Sequence, residues 1–246
     1  EKMNEFIDLN KFTKQDEINS GTVSKIFKIE EKSTRNIFVA KIFFKNLSES
    51  DKKFAMNLKR EVSILSQLTH PSVLKFIGYS PFDFDQKSYP VIVTEYSPNG
   101  SLSDIIKLDR EYSAPKIWTD TKKLINIYGI ASAMKYLHSH NIIHRDLKPA
   151  NILEDENFFP KIADFGLSKI FHQNIETKST IGTPSYIAPE IWNHHEYTKA
   201  GDVYAFAIIV YELLTLDEPF KDYNYFTLLK KVIIDGERAI FNYPIP

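Results

Sequence analysis

Alternating hydrophobic and polar positions mark the beginning of the chain. Residues 12–44 alternate apolar and polar side chains around a turn at residues 19–24, and β-branched and aromatic residues are frequent among them. Such alternation predicts antiparallel strands. Residues 73–78 and 91–94 predict two further strands, the second of a buried type. The chain is therefore predicted to begin with a small β-sheet.

Residues 50–67 predict an amphipathic helix with a carboxylate on its apolar face. The apolar positions of this face are Phe54, Leu58, Leu65 and Leu68. Glu61 falls on the same face. Because a carboxylate on an apolar face is costly unless it is paired, Glu61 needs a cation. Lys41, in an apolar run of the preceding strand, is the natural partner. The alternative is a Lys41 that faces solvent from an edge strand.

More helices are predicted in the second half of the chain. Thr119 is a plausible N-cap, and the helix after it has an apolar face made of Leu124, Ile127, Tyr128, Ala131 and Met134. Residues 202–214 are apolar nearly all round apart from Glu212, which is typical of a buried helix. Residues 223–234 predict a last amphipathic helix, whereas residues 107–116 resemble a polar connector.

The composition limits the class of protein. The chain has 246 residues, 43% of them hydrophobic and 26% charged, as expected of a soluble protein with one large domain or two lobes. A net charge of −1 offers no basic field for nucleic acid or an anionic membrane. The longest apolar run, residues 203–214, is too short to span a bilayer. The absence of cysteine excludes disulfides and thiolate metal sites, and we expect a cytoplasmic protein.

Two polar motifs carry the candidate chemistry. Residues 144–151 read H-R-D-L-K-P-A-N, and residues 164–166 read D-F-G. Together they supply carboxylates, an amide and an ammonium at spacings that phosphoryl transfer from ATP can use. The alternative is a loop of mixed charge that merely caps a helix. The two motifs, in this order, resemble the catalytic loop and the metal-binding turn of eukaryotic protein kinases.

The resemblance implies a role for each polar group of these motifs. Asp146 would accept or orient the proton of the attacking hydroxyl, and Lys148 would lie beside the transferred phosphate. Asn151 and Asp164 would hold Mg²⁺ ions that bridge the phosphates of ATP. Thr183, which a proline follows, would bond Asp146 and Lys148, as in kinases that act on serine and threonine.

The resemblance also implies nucleotide-binding groups. Residues 39–42 are similar to the V-A-I-K strand, whose lysine, here Lys41, reaches the α- and β-phosphates and is held by a helix glutamate, here Glu61. Residues 19–24 stand where a glycine-rich loop is expected, although only the middle glycine matches. The implied contacts with the nucleotide are Ile18, Gly21, Ile26, Ala40, Thr94, Glu95, Ser97 and Leu153. Asp104 has two equal interpretations, contact with the ribose or the first turn of a helix.

The segment between residues 164 and 188 resembles an activation loop. It contains Thr177, Ser179 and Thr180, which an upstream kinase or trans-autophosphorylation would modify. Arg145, joined by Lys169, would pair with the added phosphate. The alternative is a mobile polar loop without a regulatory role.

Two further positions follow from the resemblance. His144 would pack near Phe165 instead of binding a metal. Asp202, which opens the predicted buried helix, would tie down the backbone of the catalytic loop.

The complete set of motifs predicts an α+β, two-lobed protein-kinase fold. Residues 1–96 would form a small lobe with an antiparallel β-sheet and one helix, and residues 97–246 a mainly α-helical lobe whose last helices we expect to be missing from this chain. The implied function is a serine/threonine kinase of the tyrosine-kinase-like group that acts on protein substrates in signal transduction. A catalytically weak pseudokinase or scaffold, suggested by the glycine-poor loop, is the alternative. A small-molecule phosphotransferase is disfavoured by residues 182–190, which resemble a platform for peptide substrates.

Overall fold

The computed structural model of the chain describes residues 6–21, 23–45, 52–170, 183–194 and 196–240, and gives only the backbone of Lys53, Leu167, Lys169, Ile170, Asn193 and His194. The chain divides into two compact units, Glu1–Ser97 and Pro98–Pro246. This architecture, a sheet-rich unit followed by a mainly helical one, confirms the predicted two-lobed α+β fold.

The first unit contains one antiparallel sheet and one helix. The sheet has five strands in the order β1-β2-β3-β5-β4. The strands are β1 Phe12–Ser20, β2 Ser24–Glu31, β3 Ile37–Phe43, β4 Phe76–Ser80 and β5 Val91–Glu95, and the helix is α1 Lys52–Leu65. The predicted helix is confirmed, and it ends two residues earlier than its periodicity suggested.

The two faces of the sheet have different surroundings. Cross-strand pairing joins Ile26 to Lys41, Lys41 to Ile92, and Val39 to Thr94, so these side chains share one face. The intervening residues point to the other face, where an apolar cluster contains Leu9, Phe12, Ile29, Ala40, Val91 and Val93. The register therefore separates a core face from the face that carries Lys41.

The second unit is mainly helical. Its helices are α2 Leu102–Arg110, α3 Asp120–Ser139, α4 Pro189–His194, α5 Lys199–Thr215 and α6 Tyr225–Leu228, the last followed by a π-helical turn, Leu229–Ile234. Short strands form two pairs, β6 Ile142–Ile143 with β9 Lys169–Ile170, and β7 Ile152–Glu154 with β8 Pro160–Ile162. No helix among the described ranges has the length and apolar character needed to cross a membrane.

The face that α3 buries differs from the prediction. Leu124 and Tyr128 were assigned to the apolar face, but they are 62% and 77% exposed. The buried face contains Asn126, Gly129, Ile130, Ala133, Met134 and Leu137. Asn126 can lie inside because its amide nitrogen donates to the carbonyl oxygen of Phe158 at 3.2 Å. This hydrogen bond lets a polar side chain replace an apolar one on the buried face.

Residues 107–116 are also only partly the expected connector, because α2 extends to Arg110. The helix begins with a capping box, in which the Ser101 hydroxyl accepts from the backbone N–H of Asp104 and the Asp104 carboxylate accepts from the backbone N–H of Ser101. The buried helix predicted from residue 202 is confirmed as α5, which starts three residues earlier, after Thr198.

Candidate active site

Lys41 and Glu61 form the predicted ion pair in the first unit. The Nζ of Lys41 lies 3.3 Å from Oε1 of Glu61, whose side chain is only 8% exposed. Glu61 lies on the buried side of α1 with Leu58 and Leu65. The ring of Phe43 also lies 5.2 Å from the ammonium. The carboxylate therefore fixes a cation on the face of the sheet opposite the apolar cluster.

The prediction that Ala40 contacts the nucleotide beside Lys41 is wrong. Ala40 is completely buried in the apolar cluster on the other face of the sheet. In the V-A-I-K motif one residue separates the alanine from the lysine, whereas here the lysine follows directly. Because side chains alternate along a strand, this difference moves the alanine to the opposite face. Val39 occupies the face of Lys41, and strand alternation alone could have identified it.

The other residues of the first unit that were predicted to contact the nucleotide lie in different environments. Ile26 and Thr94 share the face of Lys41 through cross-strand pairing. Ile18 is 49% exposed at an irregularity between β1 and β2. Gly21 forms the turn, where its backbone N–H donates to the carbonyl oxygen of Ser24 at 2.9 Å. These observations do not test whether the four residues contact ATP, so those contacts stay predictions.

The connector after β5 has an unusual polar atom. The Glu95 carboxylate accepts from the backbone N–H of Lys75 at 2.9 Å, which anchors the end of the strand. The hydroxyl of Ser97 is buried and has no hydrogen-bond partner among the residues described. A buried polar atom without a partner marks a place that water or a ligand normally completes.

The catalytic-loop residues of the second unit form one connected cluster. Nζ of Lys148 lies 2.9 Å from Oδ2 of Asp146 and donates to the Thr183 hydroxyl at 2.9 Å. The amide nitrogen of Asn151 donates to the backbone oxygen of Asp146 at 2.8 Å and to its Oδ2 at 2.9 Å. The predicted contact of Thr183 with Lys148 is confirmed, and Lys148 bridges Thr183 to the Asp146 carboxylate.

Asp202 of α5 holds the backbone immediately before this cluster. Its carboxylate accepts from the backbone N–H of His144 at 2.9 Å and from that of Arg145 at 3.0 Å. His138 of α3 lies 2.8 Å from the same carboxylate. Asp202 is buried, so these donors replace the water that it would otherwise bind. The predicted anchoring of the loop is confirmed.

The D-F-G segment lies beside the catalytic loop. His144 meets Phe165 edge-on, with ring centroids 5.1 Å apart, as predicted. Its Nε2 lies 3.0 Å from the backbone oxygen of Ala163. Asp164 has a left-handed backbone, with φ 59° and ψ 72°, and is exposed. Packing of the histidine and the phenylalanine therefore positions the turn that presents the carboxylate.

The donor set fits an oxygen-bound divalent cation. Asn151 directs its amide nitrogen at Asp146, which turns its amide oxygen away as a candidate ligand, and Asp164 presents a carboxylate. The described residues contain no group of three or more His, Cys, Asp or Glu side chains placed to hold a metal ion. Mg²⁺ is commonly bound in this way, by one or two protein oxygens with phosphate oxygens as further ligands.

Two residues predicted to contact the nucleotide flank the start of α2. The Asp104 carboxylate accepts from the backbone N–H and the hydroxyl of Ser101, at 2.9 and 2.6 Å. Of the two interpretations, the structure shows the helix cap, and contact with a ribose stays a prediction. Leu153 of β7 forms a bridge with Ser101, so the cap and the strand hold each other in place.

Glu154 is a buried carboxyl group that the sequence analysis missed. It is completely buried, and neither of its carboxyl oxygens has a hydrogen-bond donor among the described residues. Burial raises the pKa of Glu154 to about 8. The backbone of Glu154 joins Gly100 and Asn99, through bonds of 2.9 and 3.2 Å. A charged residue between the apolar Leu153 and a turn gave no sequence signal of burial.

A second buried carboxyl group lies beneath the residues that follow Thr183. The hydroxyl of Tyr186 donates to Glu212 of α5. Burial raises the pKa of Glu212 to about 7. Burial and the neighbouring carboxylate also raise the pKa of Tyr186. This bond ties the segment after Thr183 to the buried helix.

Arg145 does not extend into solvent. Its guanidinium lies 5.0 Å from the centroid of the Tyr197 ring, and the residue is 7% exposed. The hydroxyls predicted to accept phosphate, Thr177, Ser179 and Thr180, lie outside the described residues, as does the side chain of Lys169. Pairing of Arg145 with a phosphate therefore stays a prediction.

Comparison with known proteins gives a consistent assignment. The family model described as "Protein kinase domain" matches residues 12–243. The chain is 35% identical over 231 residues to "Probable serine/threonine-protein kinase drkC" of Dictyostelium discoideum, an alignment that covers 92% of this chain and 29% of that protein. It is 37% identical to "Myosin light chain kinase A" of the same organism, over 84% of this chain and 67% of the relative. The chain thus spans less than a third of the first of these relatives.

Proposed function

This chain belongs to the protein kinase family, as a domain of the serine/threonine class with ATP as the phosphoryl donor. We propose that the residues described above transfer the γ-phosphate to protein serine and threonine hydroxyls. The observation that carries this proposal is the Lys148 ammonium, which contacts both Asp146 and Thr183 at 2.9 Å. A carboxylate, an ammonium and an ordered hydroxyl are thereby held within one hydrogen-bonded cluster.

Asp146 is the proposed base. Its carboxylate would accept or orient the proton of the incoming hydroxyl, and Asn151 and Lys148 hold it in one orientation. Because phosphoryl transfer develops charge on phosphate oxygens, fixed cations stabilise the transition state more than the ground state. Lys148 supplies such a cation beside Asp146. Lys41, fixed by Glu61, would bind the α- and β-phosphates.

Asn151 and Asp164 are the proposed ligands of Mg²⁺. When bound, the ion would neutralise part of the phosphate charge. Their oxygen donors suit a hard cation. Asn151 would serve two purposes, because its amide nitrogen orients Asp146 while its amide oxygen is available for the cation.

The choice of acceptor tests the proposed function. Peptides that differ only in a central serine, threonine or tyrosine should be offered with labelled ATP, alongside small hydroxylated molecules. We expect label in the serine and threonine peptides and far less in the others. Faster transfer to a small acceptor than to any peptide would instead indicate a small-molecule phosphotransferase.

Replacing Lys41 with methionine should lower kcat/KM for ATP by about a hundredfold, because a fixed charge on the phosphates is lost. Methionine keeps the apolar length, although Glu61 then loses a cation. Thermal unfolding should therefore be recorded with the kinetics, and Lys87→Met, with a 63% exposed side chain, is the matched control. Equal kinetics for the Lys41 variant and the control would contradict the proposed role.

One observation favours the alternative of a weak kinase or scaffold. The turn at residues 19–24 has a single glycine, and a Cβ added at Gly21 would meet only the Ser24 oxygen, at 3.7 Å. No close approach there demands a glycine. Such a protein would bind nucleotide or partner proteins without rapid transfer, and the assay that closes the Discussion separates the two functions.

Finer assignments rest on sequence patterns. The connector at residues 95–100, residues 182–190 and α5 resemble those of the tyrosine-kinase-like group, which we propose for this domain. Signal transduction in the cytoplasm, and activation by an upstream kinase or in trans at Thr177, Ser179 or Thr180, are proposals of the same standing.

A further inference from the structure

The ring of Tyr197 covers the guanidinium of Arg145, the residue directly before Asp146. Cζ of Arg145 lies 5.0 Å from the ring centroid. Tyr197 belongs to the short link between α4 and α5, and the next residue, Thr198, is the N-cap of α5. The same helix carries Asp202, which binds the backbone of Arg145. The link before α5 therefore contacts the side chain of Arg145, and α5 contacts its backbone.

The conformation of Arg145 needs such support. Its φ is 71°, a left-handed conformation that is strained for a residue with a side chain. Its side chain is also 7% exposed, and a buried guanidinium is stable only when neighbouring groups replace its water. An aromatic face attracts a cation in this way, and more strongly when the cation is partly desolvated.

We propose that Tyr197 is a positioning residue for phosphoryl transfer: its ring holds the Arg145 guanidinium and thereby fixes the backbone that orients Asp146. The proposal rests on the proposed function of Asp146. Tyr197 does not touch the reacting atoms. It acts through Arg145, because the ring restrains the guanidinium of a residue whose backbone is strained at φ 71° and is also held by Asp202.

The geometry also makes the aromatic ring the important part of Tyr197. A cation over a ring interacts with its π-face, to which the hydroxyl is not essential. Phenylalanine should therefore replace tyrosine, whereas leucine, which fills a comparable volume without a π-face, should not.

A double-mutant cycle tests the proposal. Four variants should be assayed for kcat, for the KM of ATP and of peptide, and for the midpoint of thermal unfolding. They are Tyr197→Leu, Tyr197→Phe, Arg145→Met and the double variant Tyr197→Leu/Arg145→Met. We expect Tyr197→Leu to lower kcat by about three- to thirtyfold, with KM for ATP unchanged, and Tyr197→Phe to keep kcat near that of the wild type. The double variant should have the kcat of Arg145→Met, since the ring no longer has a cation to hold.

Other outcomes would overturn the proposal. Equal losses from Tyr197→Leu in the presence and absence of Arg145 would show that the ring supports the fold independently of the guanidinium. A loss in Tyr197→Phe as large as in Tyr197→Leu would assign the effect to the hydroxyl.

Tyr128→Leu, which removes a 77% exposed tyrosine from α3, is the matched control. A wild-type chain without any transfer would refute the proposed function itself, whereas an active chain with an additive cycle would refute only the role of Tyr197.

Discussion

Replacing Asp146 with asparagine should lower kcat by about three orders of magnitude, within the range that a general base contributes. Asparagine has the same shape, so the bonds from Asn151 and Lys148 that hold the side chain can largely be kept. The change removes the negative charge and the ability to accept the substrate proton. The loss should appear in kcat, with little change in KM for ATP.

The measurement is the steady-state rate of transfer to a serine peptide, with thermal unfolding as the test of fold. Asp120→Asn is the control, since it makes the same substitution at a side chain that is 95% exposed on α3. A tenfold or smaller loss of kcat in a folded Asp146 variant would show that another group handles the proton.

The free energy of unfolding should fall as the pH rises from about 4.5 to about 8, because of Glu154. The pKa of this glutamate is about 8 in the folded chain, against 4.5 as its ordinary value. The folded state therefore holds a proton that the unfolded state releases. Stability from this group is complete below the unfolded pKa, falls by about 1.4 kcal/mol for each pH unit between the two values, and changes no further above the higher one.

The surroundings of Glu154 explain why it keeps its proton. A side-chain hydrogen bond with Asn126 of α3 lowers the pKa, but the amide nitrogen of Asn126 also donates to the backbone oxygens of Lys122 and Phe158 at 3.2 Å. Its amide oxygen is buried without a donor among the described residues. Burial disfavours the charged carboxylate and outweighs the groups that lower the pKa, so Glu154 keeps its proton. Of the nearby charges, Asp155 raises the pKa and Lys122 lowers it.

Glu154→Gln tests this explanation, because glutamine has a similar shape and stays neutral at every pH. The midpoints of the variant and the wild type should be similar near pH 4.5 and diverge as the pH rises, with the variant the more stable above pH 8. Glu212, whose pKa is also raised, contributes equally to both proteins and cancels in the comparison. Glu156→Gln, at an exposed position of the same turn, is the control. A constant difference across the range would show that Glu154 ionises normally.

The sequence could identify those parts of the site that depend on local spacing or on an obligatory pairing. His144, Asp146 and Asn151 lie within one short segment, so their order alone implied a common cluster. The pairing of Lys41 with Glu61 followed from the cost of a carboxylate on an apolar face, and the structure has it at 3.3 Å. In both cases local spacing or the cost of an unpaired charge favoured the arrangement that the structure has.

Other features depended on contacts that no local pattern contains. Asn126 is buried because a backbone oxygen 32 residues away accepts its hydrogen bond, which shifts the buried face of α3 relative to its hydrophobic periodicity. Ala40 was assigned to the wrong face because motif similarity outweighed strand alternation. Glu154 interacts with Asn126, and Tyr197 with Arg145, and both of these neighbours are distant in sequence. Local pattern thus specified the elements, and long-range packing decided which side chains they bury.

The most direct test of the central claim is transfer of the labelled γ-phosphate of ATP to a serine or threonine peptide by the wild-type chain and by Asp164→Asn, with and without Mg²⁺. We expect metal-dependent transfer by the wild type and a loss of about two orders of magnitude or more in the variant, which lacks a charged metal ligand. Nucleotide-dependent thermal stabilisation in the same samples would show that ATP still binds. A folded wild-type chain that binds Mg²⁺-ATP without transferring phosphate, or an Asp164 variant with normal activity, would contradict the central claim.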